Sequence, residues 1–161
     1  MDELHGYYFE ELEVGMTDIY GKTITEADIL MFAGMSGDTN PVHLNHEFAA
    51  PTIFEGRIAH GMLTASFIST VIGTKLPGPG CIYVSQNIRF KAPVKAGDTV
   101  IARCTIEELI PEKRFVKMKT QCTIGDKVVI DGDATGLFDA IDADLDGAIG
   151  TQTQDCIAIG E

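Results

Sequence analysis

Positive charge is scarce in this sequence. Twelve Lys and Arg stand against 24 Asp and Glu, a formal net charge of −12. A protein that grips a phosphate backbone needs a basic face, so the composition argues against nucleic acid as a partner. No run of 18 apolar residues exists to cross a bilayer, and no membrane partner is expected. The opening residues, MDELHGYYFEELEVG, are acidic and lack the basic-then-apolar order of an export signal, which points to a cytoplasmic protein. The four cysteines, Cys81, Cys104, Cys122 and Cys156, form no C-x-x-C pair, which excludes a zinc ribbon and argues against a disulfide framework. Three of them lie in apolar or alternating runs and read as buried thiols acting as small hydrophobes. No internal repeat is visible.

What is present is a chain of 161 residues, 45% hydrophobic, long enough for one domain with a real core. Residues 12–20 (LEVGMTDIY) read as a short entering strand. Thr25, three residues before Asp28, is a helix start signal. Ile29, Leu30, Phe32 and Ala33 follow at helical spacing, predicting a helix over 25–34 that ends at Gly34 and Gly37. Residues 37–56, punctuated by Pro41, Pro51 and Gly56, read as irregular apart from a helical turn capped by Asn45. From Ala59 to Ile72 the chain is apolar all round, the mark of a buried helix too short for a membrane. The period then changes to two. CIYVSQNIRF, DTVIARCTIEEL, RFVKMKTQCTI and KVVIDGDATGLF are four strand-like runs, the last two joined at Gly125-Asp126. One buried helix and a mainly antiparallel sheet make an α+β domain over residues 1–138. The helix is too apolar to leave its back in water, so the sheet must wrap around it or a partner must cover it. Residues 139–161, with six acids and no Lys or Arg, read as an appended tail.

Two stretches carry polar groups suited to chemistry. In Gly37-Asp38-Thr39-Asn40-Pro41-Val42-His43, a carboxylate and an imidazole stand five residues apart across a loop that Pro41 stiffens. Such a pair can exchange protons near neutrality, although Asp and Asn before Pro are also ordinary turn formers. In Ala59-His60-Gly61-Met62 a glycine opens the buried helix. A helix start offers free N–H groups, and a glycine lets another group approach them, as an oxyanion hole requires. A packing glycine is the alternative. The basic residues are concentrated. Between Lys75 and Arg103 there are five cations (Lys75, Arg89, Lys91, Lys95, Arg103) against Asp98 alone, a stretch able to receive an anion.

The run FAGMSGDTNPVH, with GRIAHGML and LPGPGCIYVSQNIRFKAPVKAGD after it, resembles the MaoC-like (R)-specific enoyl-CoA hydratases over about residues 8–138. The resemblance implies the hot-dog fold, an antiparallel β-sheet wrapped around a long central helix. It implies a hydro-lyase that reversibly adds water to a trans-2-enoyl-CoA to give the (R)-3-hydroxyacyl-CoA. Asp38 and His43 are then the catalytic pair, with His43 assisting water activation and Asp38 proton delivery. Asn40 orders the pair and its water, and the Gly61 amide is the oxyanion donor. No metal or redox cofactor is implied, and the protein is a homodimer with its thioester ligand near the subunit interface. Arg57, Lys75, Arg89, Lys91 and Lys95 become candidates for the coenzyme A phosphates, and Met62 and Ser66 for the acyl pocket. The rival readings are another hot-dog acyl-thioester enzyme (a 3-hydroxyacyl-carrier-protein dehydratase or a thioesterase) and a non-catalytic acyl-CoA-binding subunit. His43-x-x-His46 with His60 is weak as a metal site. Asp142 to Gly147 resembles the start of a calcium loop, but the twelfth position is Thr153 and not Glu.

Overall fold

A computed structural model describes residues 2–138. The acidic tail, its calcium-loop-like run and Cys156 lie outside the described residues. The chain enters through β1 (Thr17–Thr23) and continues through helices α1 (Glu26–Ser36), α2 (Pro41–Leu44), α3 (His46–Ala49) and α4 (Gly61–Thr74). It ends in four strands, β2 (Ile82–Phe90), β3 (Thr99–Ile110), β4 (Phe115–Ile124) and β5 (Lys127–Leu137). All pairings are antiparallel, and the sheet order is β1-β3-β4-β5-β2. The sheet curls around α4, which is the hot-dog arrangement.

Strand alternation builds the core. In β3, Val100, Ala102, Cys104 and Ile106 all point inward, and their neighbours point out. Val116, Met118 and Cys122 of β4 and Ile130 and Ala134 of β5 do the same. They close on the buried stripe of α4: Leu63, Thr64, Phe67, Ile68, Val71 and Ile72. Ile68 is fully enclosed, and its truncation to alanine would cost about 2–5 kcal/mol. The thiols of Cys104 and Cys122 lie 3.9 and 3.8 Å from the carbonyls of Ile68 and Thr64, filling the seam between sheet and helix. Burial pushes both thiols up to about 12, which makes them inert small hydrophobes, as expected.

Four expectations need correction. The first strand begins at Thr17 and not residue 12, because Gly15 turns the chain at φ 95° and anchors its N–H on the Ile106 carbonyl. Helix α1 runs through Gly34 to Ser36 and ends where Gly37 takes the left-handed conformation. The stretch 37–56 is not irregular throughout, since Pro41 starts α2 with its ring-fixed φ and Asn40 caps it. Helix α4 is also not apolar all round: Met62, Ser66, Ser69 and Gly73 are exposed along one side. Beyond Met62 that strip is small and partly hydroxylated, which the apolar average of the helix conceals.

Candidate active site

The loop between α1 and α4 is built by local caps. Thr25 and Asp28 form a reciprocal capping box at the start of α1. Asp28 also meets Lys22 at 2.9 Å. The hydrogen bond from Thr25 and the Lys22 ammonium hold the Asp28 carboxyl down at about 2. At the far end of α1 the Gly37 N–H returns to the Ala33 carbonyl, and the chain leaves the helix directly into Asp38. Asp38 Oδ1 accepts the Asn40 N–H at 3.2 Å, and Asn40 Oδ1 accepts the Val42 N–H at 3.1 Å. These two turns swing the chain into α2, whose third residue is His43.

Two carbonyls fix the imidazoles that result. The His43 ring donates from Nδ1 to the Ile58 carbonyl at 2.8 Å. A carbonyl can only accept, so Nδ1 carries a proton, and in the neutral ring Nε2 is the nitrogen with the lone pair. That Nε2 faces Asp38 Oδ2 at 4.0 Å. The separation is too long for a direct hydrogen bond and suits a single bridging water. His43 is buried, while half of the Asp38 side chain is exposed. Backbone bonds from Ile58 to Val42 and from Ala59 to Val94 lock the segment leading to α4 between α2 and the chain after β2.

The pair opens on a cavity of about 440 Å³. Besides Asp38, His43 and Gly61, its wall is largely apolar: Phe54, Met62, Phe90, Val94 and Ile130. Gly61 is the first residue of α4, so helix geometry leaves its N–H without an intrahelical acceptor. The Phe90 ring lies so close that a Cβ built on Gly61 would sit 2.7 Å from Phe90 Cε1. A side chain here would have to push the Phe90 ring aside, and Gly61 and Phe90 both line the cavity.

The other sequence candidates divide. Met62 and Lys91 line the cavity. Asn40 does not reach it and acts on the loop backbone, so the structure gives it the role of loop former and no contact with the cavity. Arg57 is paired with Glu26 at 2.8 Å, and Lys75 lies past the far end of α4, 3.7 Å from Asp18. Ser66 donates back to the Leu63 carbonyl within α4. Arg89 is on the other side of the sheet, in a polar hollow with Asn87, Glu107, Lys119, Asp131 and Asp133. Lys95 is absent from the cavity wall. The basic stretch thus does not converge on one site. Alternation puts Arg89 and Phe90 on opposite faces, and Lys91 returns to the cavity only because β2 has ended.

Sequence reasoning missed His60 as a site residue. Its ring lies 3.8 Å from that of His43, and its Nε2 is 2.9 Å from the Asp38 carbonyl. Its place just before Gly61 was the available signal. Asp38, His43 and His60 bring potential metal-ligand atoms within 4.8 Å of one another. His60 Nε2 is already committed to the carbonyl, however, and Nδ1 is enclosed, so among the described residues only Asp38 and His43 remain usable as ligands. His46 is exposed on α3 and takes no part.

The family described as "MaoC like domain" matches residues 12–131. The chain belongs to the MaoC-like domain family. It is 55% identical to the (R)-specific enoyl-CoA hydratase of Rhodospirillum rubrum, over 86% of this chain and 96% of that protein. It is 51% identical to the 3-hydroxybutyryl-CoA dehydratase of Methylorubrum extorquens, over 83% of this chain and 85% of that protein. Among solved structures, the (R)-hydratase from A. caviae involved in PHA biosynthesis matches with a TM-score of 0.77 at 39% identity, covering 80% of this chain and 98% of that one. The MaoC-like fold and the loop–helix site thus come together in one chain.

Proposed function

We propose that this protein is an (R)-specific enoyl-CoA hydratase, reversibly adding water across the 2,3 double bond of a trans-2-enoyl-CoA. The observation that carries the reading is the Asp38 carboxylate and His43 Nε2, facing each other at 4.0 Å across the mouth of an apolar cavity whose wall includes Gly61. A water held between them is polarised by His43 Nε2, which accepts its proton as the oxygen bonds C3. The proton taken up by His43 is handed on through the Asp38 carboxylate to C2. One proton leaves the water and one reaches C2, so the coupled pair ends the turnover as it began. Charge gathers meanwhile on the thioester oxygen, where the Gly61 N–H stabilises it. No electrons are transferred, so the reaction calls for no redox cofactor, and the dyad itself supplies the water activation for which a metal would otherwise serve. Among the described residues, Lys91 is the one Lys or Arg on the cavity wall and the best-placed contact for the coenzyme A moiety.

The same reading makes the protein a homodimer. β2 is an edge strand whose free side pairs with no strand among the described residues, and Ile82, Tyr83, Val84 and Phe90 on it are exposed. A bare edge of nine residues carrying these four exposed apolar side chains is a template for a second copy. Pairing β2 with its counterpart would also bring the exposed strip of α4 toward the partner and seal the cavity mouth at Met62 and Phe90. The free thiols Cys81, Cys104 and Cys122 support a reducing cytoplasmic setting.

The test follows the enoyl chromophore with crotonyl-CoA, with chiral analysis of the product. Loss of absorbance with an (R)-3-hydroxy product supports the reading. Release of free thiol would identify a thioesterase, and an unchanged substrate a binding subunit. Activity only on the carrier-protein thioester would favour a 3-hydroxyacyl-carrier-protein dehydratase.

A further inference from the structure

His60 is enclosed at 1% exposure, and one of its two nitrogens has no partner among the described residues. Its Nε2 lies 2.9 Å from the Asp38 backbone carbonyl, across 22 residues of sequence. The carbonyl accepts, so Nε2 carries the proton and Nδ1 is a bare acceptor sealed among other atoms. A buried polar atom left unpaired is unfavourable, and an apolar side chain would avoid it. The imidazole is in contact with three parts of the site at once. Its N–H ties down the backbone of Asp38, whose side chain is half exposed and would otherwise be held only by its own loop. Its ring face supports that of His43, with centroids 3.8 Å apart and planes inclined by 32°. The Phe32 ring, 5.0 Å away, extends this stack toward α1. As the residue capping α4, His60 also precedes the Gly61 amide directly.

We propose that His60 is a positioning residue for the hydration reaction, holding Asp38 and His43 at their mutual separation through a hydrogen bond to one backbone and a ring face against the other side chain. It moves no proton itself, because Nδ1 is closed off and Nε2–H is engaged. The inference rests on the hydratase reading for its kinetic consequence, but not for its geometry.

Two arms test it. In the wild-type protein, long-range 1H–15N spectra of the histidine rings should show His60 protonated on Nε2 and bare on Nδ1, and His43 protonated on Nδ1. His60 protonated on Nδ1 would overturn the geometry whether or not the protein hydrates anything. Kinetically, His60→Phe keeps the ring but removes the donor, and His60→Gln keeps a donor but removes the ring. Since a misplacement of about 1 Å costs on the order of 10²-fold, His60→Phe should lower kcat by roughly 30–100-fold with KM within about threefold. His60→Gln should recover part of that loss. The limbs of the kcat/KM pH profile should move in both variants, because the dyad is no longer held at one spacing. Unchanged kcat and pH profile in a folded His60→Phe protein would refute the proposal. If wild type leaves every enoyl-CoA unchanged, the hydratase reading fails while the spectra still decide the role of His60 in the fold of the site. If His60→Phe does not fold, His60→Gln and the spectra carry the test.

Discussion

Gly61→Ala separates stability from catalysis at one methyl group. The backbone there is helical, so alanine meets no left-handed strain. The added Cβ would stand 2.7, 2.9 and 3.1 Å from Phe90 Cε1, Cδ1 and Cζ. Carbon atoms pack comfortably at about 3.5–4.0 Å, so the ring must retreat by about 1 Å. Phe90 ends β2 with half its surface exposed and can tilt outward. An off-rotamer tilt costs about 1 kcal/mol. Alanine in place of glycine in a helix returns up to about 1 kcal/mol. The two offset each other, and the melting temperature should stay within about 5 °C of wild type. Activity should not survive as well. If the Gly61 N–H is the oxyanion donor, as proposed, the methyl and the shifted ring disturb the cavity wall beside that N–H. Loss of one oxyanion donor costs about 10²–10³-fold in kcat, and a loss of that order is expected in the enoyl-chromophore assay. A folded Gly61→Ala protein that turns over within about fivefold of wild type would show that this amide is not the oxyanion donor.

Four further outcomes follow from the same geometry. His43→Gln and Asp38→Asn should each lower kcat by at least about 10²-fold, with circular dichroism unchanged, because each leaves the water with only one catalytic partner. Acid should weaken the fold through Asp28. Its folded carboxyl is held at about 2, below the ordinary 3.8, so its contribution is complete above pH 4 and disappears as pH falls toward 2. That contribution is up to about 2 kcal/mol, less where salt screens the Lys22 partner. A Thr25→Ala protein should show a flatter acid limb in urea titrations and lose about 1 kcal/mol at neutral pH. Cys104 and Cys122 should remain unmodified by a thiol reagent in the native protein and react on unfolding, which mass spectrometry after labelling would read. Val84→Lys should shift the sedimentation coefficient toward the monomer by placing two like charges across paired β2 edges, and an unchanged dimer would remove β2 from the interface.

Much of this molecule could be read without coordinates because the signals are local. Helix caps act over three residues, as Thr25 and Asp28 show, and strand alternation acts over two, as Val100 to Ile106 show. The candidate site loop belongs to the same class: Asp38, Asn40, Pro41 and His43 lie within one turn-forming run, whose local caps bring the residues near one another. The short helix α2 escaped notice because one turn is too brief to show a period, and its only markers, Asn40 and Pro41, serve equally well in an irregular loop.

The amino-acid order alone determined the main strands and longer helices, the burial of α4 and the pair of groups able to handle a proton. Tertiary structure alone decided what those groups face. The Ile58 carbonyl that sets the tautomer of His43 is 15 residues from it, and the Asp38 carbonyl that engages His60 is 22 away. Phe90 meets Gly61 only because β2 runs back alongside the start of α4. The scattering of Arg57, Lys75 and Arg89 away from the cavity has the same origin. Charge density along a chain has no direction, and only the pleat of a strand or the turn of a helix determines which side of the molecule a side chain occupies.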